Sequence, residues 1–266
     1  MTDISHCTVI VLAAQRTGVV NPLAQRAGVS HKCLVPIAGH PLISHVMNVL
    51  AACPEVRKVR VMVEPEGQAA LNPLLASYRE GGLSIDLVSS SENIVESVLL
   101  GARDQSAPYI VTTADNVLLT REAFRATLGA LETADVAMNL AAKPTVQAIH
   151  PQAQRRFYEF REEGYANCNL YGIAGPHALG AAEVFREGGQ FMKNPGRLIT
   201  AFGLFNILLF RFKLLTLERA AQRISRKFGL SFRALVPPDG SQAIDVDNER
   251  TYDVAEMVLK KRAAAA

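Results

Sequence analysis

The chain has 266 residues, 49% of them hydrophobic and 20% charged, with a net charge of +3; that excludes a disordered chain, allows a full core, and is too small a positive excess to indicate nucleic acid. No apolar run approaches the roughly 20 residues of a membrane-spanning helix. The polar start at residues 1–7 shows no secretory signal, and the four cysteines Cys7, Cys33, Cys53 and Cys168 are scattered without CxxC spacing, so the expectation is a soluble, cytoplasmic, single-domain protein.

Residues 8–13 are a short apolar run stopping at small residues, the pattern of a central parallel strand buried on both faces. A polar loop follows with Gln15, Arg16, Thr17 and Gly18, then a His31-Lys32 step into Leu34-Val35-Pro36-Ile37-Ala38-Gly39-His40-Pro41-Leu42. The loops at strand ends are where open α/β sheets bind ligands. Over 41–52, Leu42, Val46, Val49 and Leu50 recur at helical spacing, with Pro41 suited to a first turn. Residues 56–63 alternate valines with basic residues as a second strand, and a helix follows over 66–78. A third strand spans 84–88, a helix capped by Ser89, Ser90 and Ser91 spans 92–103, and a fourth strand spans 109–113. This alternation predicts a parallel sheet with right-handed crossovers.

The fourth strand closes on Thr112-Thr113-Ala114-Asp115-Asn116. A carboxylate just past a buried strand needs solvent, a cation or a donor, so Asp115 reads either as a ligand or as the cap of a helix over 122–131. Residues 134–141 are another strand, after which the rhythm breaks. Between 144 and 172 the reading is a hairpin, 156–161 against 167–173 across Glu162-Glu163-Gly164, carrying Arg161, Asn167 and Asn169. It is either a binding surface or a solvated edge. Helices are expected over 176–187, 190–202 and 204–226, the last broken around Lys213 to Thr216, with Lys193 in a second basic stretch. The apolar run 204–212 suits core or subunit packing, including a homodimer, or alternatively a membrane-touching face. A strand over 230–236 leads to Ala243-Ile244-Asp245-Val246-Asp247-Asn248. In strand geometry its two aspartates share one face roughly 7 Å apart. A helix over 250–262 follows, with Lys260, Lys261 and Arg262 read as a frayed end.

The order of these landmarks resembles the nucleotidyltransferases with a GT-A-like, Rossmann-related fold, among them MobA-like enzymes and sugar- or polyol-phosphate cytidylyltransferases. Their signature is a strand, a Gly-rich Leu-Ala-Ala loop with an arginine, a Pro-Lys step, and an apolar-Gly-x-Pro-Leu stretch opening a helix. This chain departs from it at Gln15, where the first loop glycine is usual, at His31, where proline is common, and in the length of its first loop. The resemblance implies a mostly parallel sheet with helices on both faces. It divides the chain into a nucleotide-binding half over 1–142, an acceptor-binding insertion over 143–228 and a closing segment over 229–262. It also implies Mg²⁺-dependent transfer of a nucleotidyl group from an NTP, CTP ahead of GTP, to an anionic phosphorylated small molecule. In that reading Lys32 and Arg16 are catalytic and Leu12, Ala13, Ala14, Gln15, Gly18, Ser91, Asn93, Ser97 and Ala114 bind the nucleotide. Asp115 and Asp247 hold the metal, with Asp245 as second choice to Asp247, and Arg161, Asn167, Asn169 and Lys193 meet the acceptor. A GT-A glycosyltransferase using a nucleotide sugar and a non-catalytic nucleotide-binding regulator are the alternatives. A nicotinamide oxidoreductase ranks below both because no GxGxxG is present.

Overall fold

Strand β1 (Cys7–Leu12) is buried on both faces, and successive residues point to opposite sides of the sheet. Val9 and Val11 join a core beneath α2 (Leu42–Ala51), α3 (Pro65–Glu80) and α5 (Arg121–Ala130), while Ile10 packs with Val95 and Val98 of α4 (Ile94–Ala102) on the other side. In the computed structural model, which describes residues 2–15, 21–185 and 212–265, β1 is flanked by β4 (Val56–Val63) and β6 (Tyr109–Thr113), both parallel to it. The seven-strand path runs β10 (Phe232–Leu235), β7 (Val136–Ala142), β9 (Gly164–Ile173), β6, β1, β4 and β5 (Ile85–Ser89), and β8 (Tyr158–Glu159) pairs on β9. β9 runs antiparallel between β6 and β7, whereas the β1–β4, β1–β6, β4–β5 and β7–β10 pairs are parallel.

The mostly parallel α/β sheet expected from the sequence is therefore present, and several local expectations are corrected. The stretch read as one long loop contains helix α1 (Pro22–Ala27). Asn21 caps it by accepting from the N–H groups of Leu23 and Ala24, and Gly28, at φ +65°, closes it. Pro41 is not in the first turn of α2; it belongs to the small hairpin β2 (Pro36–Ile37) and β3 (His40–Pro41) and precedes the helix. Asn93, rather than the serines, caps α4, and Thr120, rather than Asp115, caps α5. Lys143–Ile149 is a helix, α6, where the sequence showed only a break in rhythm. The hairpin pairs Tyr158 with Tyr165, so its return strand starts earlier than expected.

Pro176–Phe185 is a 3-10 segment rather than an α-helix. After Lys213 the chain forms α7 (Leu217–Phe228), and α8 (Glu249–Ala264) ends the fold. Arg262 is no frayed end: its guanidinium donates to Asp239 Oδ2 at 2.9 Å, Ser241 Oγ at 2.8 Å and Leu118 O at 3.0 Å. The expected helix over 190–202 and all of the apolar run over 204–212 except Phe212, which is exposed, lie outside the described residues. No helix among the described residues is long and apolar enough to cross a membrane.

Candidate active site

The C-terminal ends of the central strands are level with one another. Leu12 stands opposite Met62 and Thr113, Ala13 N–H donates to Met62 O at 2.9 Å, and Ala114 N–H donates to Leu12 O at 2.9 Å. The turn after β6 is fixed from inside: the buried Asn116 amide donates to Thr112 Oγ1 at 3.2 Å and to Cys168 O on β9 at 3.1 Å. That leaves Asp115 at the rim.

The late acidic segment reaches the same point, but it is not a strand. It pairs in no ladder, and a single bond from Val246 N–H to Asp115 O at 3.2 Å ties it to the β6 turn. The alternation read from the sequence persists for a packing reason: Ile244 and Val246 are buried in the cluster with Val146, Ala153 and Val254, and Asp245 and Asp247 take the other side. Asp247 N–H donates to Thr251 Oγ1 at 2.9 Å, and Asn248 caps α8 in a capping box with Thr251. The segment is seated by Gly240, where a Cβ would overlap the backbone of Thr145 and Val146 on α6. Gln242 joins Arg262 on Leu118 O, its amide donating at 2.8 Å.

Oxygen atoms of Asp115, Asp245 and Asp247 consequently lie within 4.8 Å of one another. Lys32, in a 3-10 turn over Lys32–Leu34, directs its ammonium to Asp115 Oδ2 and, at 2.7 Å, to Asp247 Oδ1. The Asp115 side chain is only 16% exposed and that of Asp247 61%, so the cluster opens to solvent on the Asp247 side. Burial opposes charge on Lys32, but the two carboxylates outweigh it and hold the ammonium above the ordinary lysine range. At Asp245 burial, then the charges of Asp115 and Asp247, push the carboxyl well above the usual range. Asp115 Oδ1 and the neighbouring Thr113 Oγ1 are buried with no hydrogen-bond partner. An orphaned carboxylate oxygen facing two further carboxyl groups is a donor set that fits a hard divalent cation.

Gln15 replaces glycine's freedom with contacts. Its N–H donates to Glu64 Oε2 at 3.3 Å, its amide donates to Ser30 O at 3.0 Å, and its Oε1 accepts from Lys32 N–H at 3.4 Å. His31, buried, pairs with Glu64 at 2.9 Å and lies 2.8 Å from Ser30 Oγ. The segment leading to Lys32 is thus braced against β4.

Leu12, Ala13, Ala14, Gln15 and Ala114 lie at the ends of β1 and β6. Ser91 and Asn93 sit in the β5–α4 turn and Ser97 in the first turn of α4, where the buried Ser97 hydroxyl donates to the carbonyls of Ser91 and Asn93 and accepts from Ser91 N–H, and Ser91 Oγ donates to Glu96. Their side chains already serve the turn itself. Asn167 and Asn169 are on β9 just past the point where Leu170 meets Thr112, so they flank the rim. The Asn167 amide donates to Asn169 Oδ1 at 2.8 Å and to the Tyr171 hydroxyl, and Asn169 has φ +49° in the irregular register between β7 and β9. Arg161 is not brought to the carboxylates; it is exposed in the β8–β9 turn, its N–H donating to Leu215 O. A cavity of about 470 Å³ lies there too, lined by Glu162, Tyr165, Leu217 and Phe232 and by none of the cluster residues. Arg16, Gly18 and Lys193 lie outside the described residues.

Comparison with known proteins adds a family. Residues 9–166 match the MobA-like NTP transferase domain, which is more than half of the chain and includes most of β1, Lys32 and Asp115. The chain belongs to this family. As a MobA-like NTP transferase it is a nucleotidyltransferase. Its structure is similar to that of a hypothetical transferase from Thermus thermophilus, with a TM-score of 0.74 and 26% identity over 93% of this chain and 99% of that one. Two further structures show the same fold at lower identity. One is 4-diphosphocytidyl-2C-methyl-D-erythritol synthase from Anaerococcus prevotii, with TM-score 0.61 and 10% identity over 97% and 100% of the two chains. The other is CMP:2-keto-3-deoxy-manno-octonic acid synthetase, solved with CTP, with TM-score 0.57 and 15% identity over 96% and 99%. No curated protein matches the chain.

Proposed function

We propose that this MobA-like NTP transferase moves a nucleotidyl group from an NTP, CTP ahead of GTP, to a phosphorylated small molecule with release of pyrophosphate, in a Mg²⁺-dependent reaction. The observation that carries the reading is Lys32 set between Asp115 and Asp247, with Asp245 in the same cluster, at the C-terminal rim of the sheet. Asp115, Asp245 and Asp247 are the residues that would hold the metal. When bound, a divalent ion supplies charge neutralisation for the triphosphate.

Everything that meets in such a reaction is anionic, so the chain's own work is alignment and neutralisation. Lys32 is the cation for the α-phosphoryl oxygens. Both carboxylates and the Gln15 bracket fix its position, which limits the reorganisation needed as charge develops. The backbone after β1 and the β5–α4 turn, braced from inside by the Ser97 hydroxyl, hold the nucleotide, and the preference for CTP rests on the CTP bound in one similar structure. The attacking phosphate is ionised near neutral pH and needs no general base. This suits a site built of carboxylates and an ammonium.

Pyrophosphate release measured with CTP, GTP, ATP and UTP against phosphorylated polyols, sugars and cofactor precursors tests the reading. Turnover with one NTP and one phosphorylated acceptor, abolished by EDTA and restored by Mg²⁺, is the result expected. Turnover unaffected by EDTA, or a nucleotide sugar consumed in place of an NTP, would overturn it.

A further inference from the structure

Beside the carboxylate loop lies a second charged feature that the reaction as described does not use. Arg250 is in the first turn of α8, three residues after Asp247. Its neighbours Glu249 and Tyr252 face the α1 side, Glu249 pairing with Arg26 at 3.1 Å and the Tyr252 hydroxyl donating to Pro36 O at 2.8 Å. One residue along a helix is a turn of about 100°, and Arg250 faces elsewhere. Its Nη1 is buried and has no hydrogen-bond partner.

Val254, four residues on along the same face of α8, packs in the cluster that also holds Ala153 and Phe157, and this turns the Arg250 face toward a second cation, Arg155. Arg155 lies between Ala153, which is fully buried, and Phe157, both packed in the cluster that also holds Ile244, Val246 and Val254. This anchoring seats the Arg155 segment against the base of the Asp245–Asp247 loop. Burial, and after it the nearby charge of Arg155, lower the proton affinity of Arg250. Neither guanidinium has a carboxylate partner among the described residues. A buried N–H without an acceptor is costly, and two guanidiniums brought together without an anion repel. Both costs vanish when an oxyanion bridges them, because guanidinium forks bind phosphate in two-point fashion.

We propose that Arg155 and Arg250 form a binding site for a phosphate monoester, the anionic group of the acceptor, next to the carboxylate loop. This rests on the transferase reading above and adds to it where the acceptor is held. The acceptor then enters between α6 and the start of α8, on the solvent-open Asp247 side of the cluster, and Arg161 at the far end of the hairpin takes no part.

Titration calorimetry of the full chain with inorganic phosphate, and separately with methyl phosphate, provides the test. Binding of both by the wild type is expected, weakened at least tenfold in Arg250→Gln and in Arg155→Gln. Arg250→Lys, which keeps the charge but not the fork, should fall between, and unchanged far-UV circular dichroism shows that each variant is folded. Arg161→Gln should bind both ligands as the wild type does. Phosphate binding that survives in Arg250→Gln, or is lost only in Arg161→Gln, would put the anion elsewhere and overturn the assignment. Binding of inorganic phosphate without methyl phosphate would mark a closed ion site and overturn the acceptor role. Neither measurement needs turnover, so a failure of the transferase reading would show in the pyrophosphate assay and leave this result standing.

Discussion

Lys32 is the cation where the β1–α2 connection and both acidic segments meet, and the Gln15 bracket is what this chain uses where glycine is usual. Lys32→Ala should lower turnover at least 100-fold, about 2.7 kcal/mol of barrier, in a protein whose far-UV circular dichroism shows it folded; a loss below tenfold in pyrophosphate release would contradict its placement at the reacting phosphate. The thiols take no part. Burial pushes Cys7, Cys33 and Cys168 up to about 12, so an aromatic disulfide reagent at pH 8 should leave them unlabelled in the native protein and label them in denaturant. Asp135 carries a pH dependence. The Ser231 N–H, then His177 and the Ser231 hydroxyl, hold its carboxyl at about 2 against an ordinary 3.8. A depressed carboxylate stabilises the fold fully above the unfolded value and loses that contribution as pH falls through the folded one. The stability advantage of the wild type over Asp135→Asn should therefore be complete at pH 5 and fade between about 4 and 2. An advantage independent of pH in acid denaturation would exclude it.

At the scale of elements, the strands β1, β4, β5, β6 and β7 and the crossover helices α2 to α5 were legible because each is a buried apolar run or an amphipathic stretch. What could not be read were features set by contacts distant in sequence. The antiparallel placement of β9 between β6 and β7 depends on the Asn116 and Asn139 amides reaching the carbonyls of Cys168 and Leu170. The acidic segment shows alternation without being a strand, since Ile244 and Val246 fill a helix-lined cluster rather than a sheet face. Asp115 and Asp247 were legible as rim acids, with Asp245 as second choice to Asp247; that all three meet at once follows from the tight seat of Gly240, which no local pattern announces. Gly240→Ala should push the segment off α6. It should cost about 1–3 kcal/mol in denaturant unfolding and lower turnover further than that loss explains. A variant with normal stability and activity would show that the seat does not position the acids.

Over the whole molecule, one sheet aligns four strand ends so that loops far apart in sequence share a rim, with β6 and the returning segment 239–248 closing it and α8 locking that segment through Arg262. This arrangement makes the protein's central site an electrostatic one, in which a half-buried carboxylate, one oxygen of which has no hydrogen-bond partner, is surrounded by two more acids and a lysine. The most direct measurement is the rate of pyrophosphate release by Asp115→Ala in saturating Mg²⁺ and NTP, beside its thermal unfolding curve. A fall of 100-fold or more in a protein that melts as the wild type does is the result predicted; near-normal turnover from that folded variant would contradict the site.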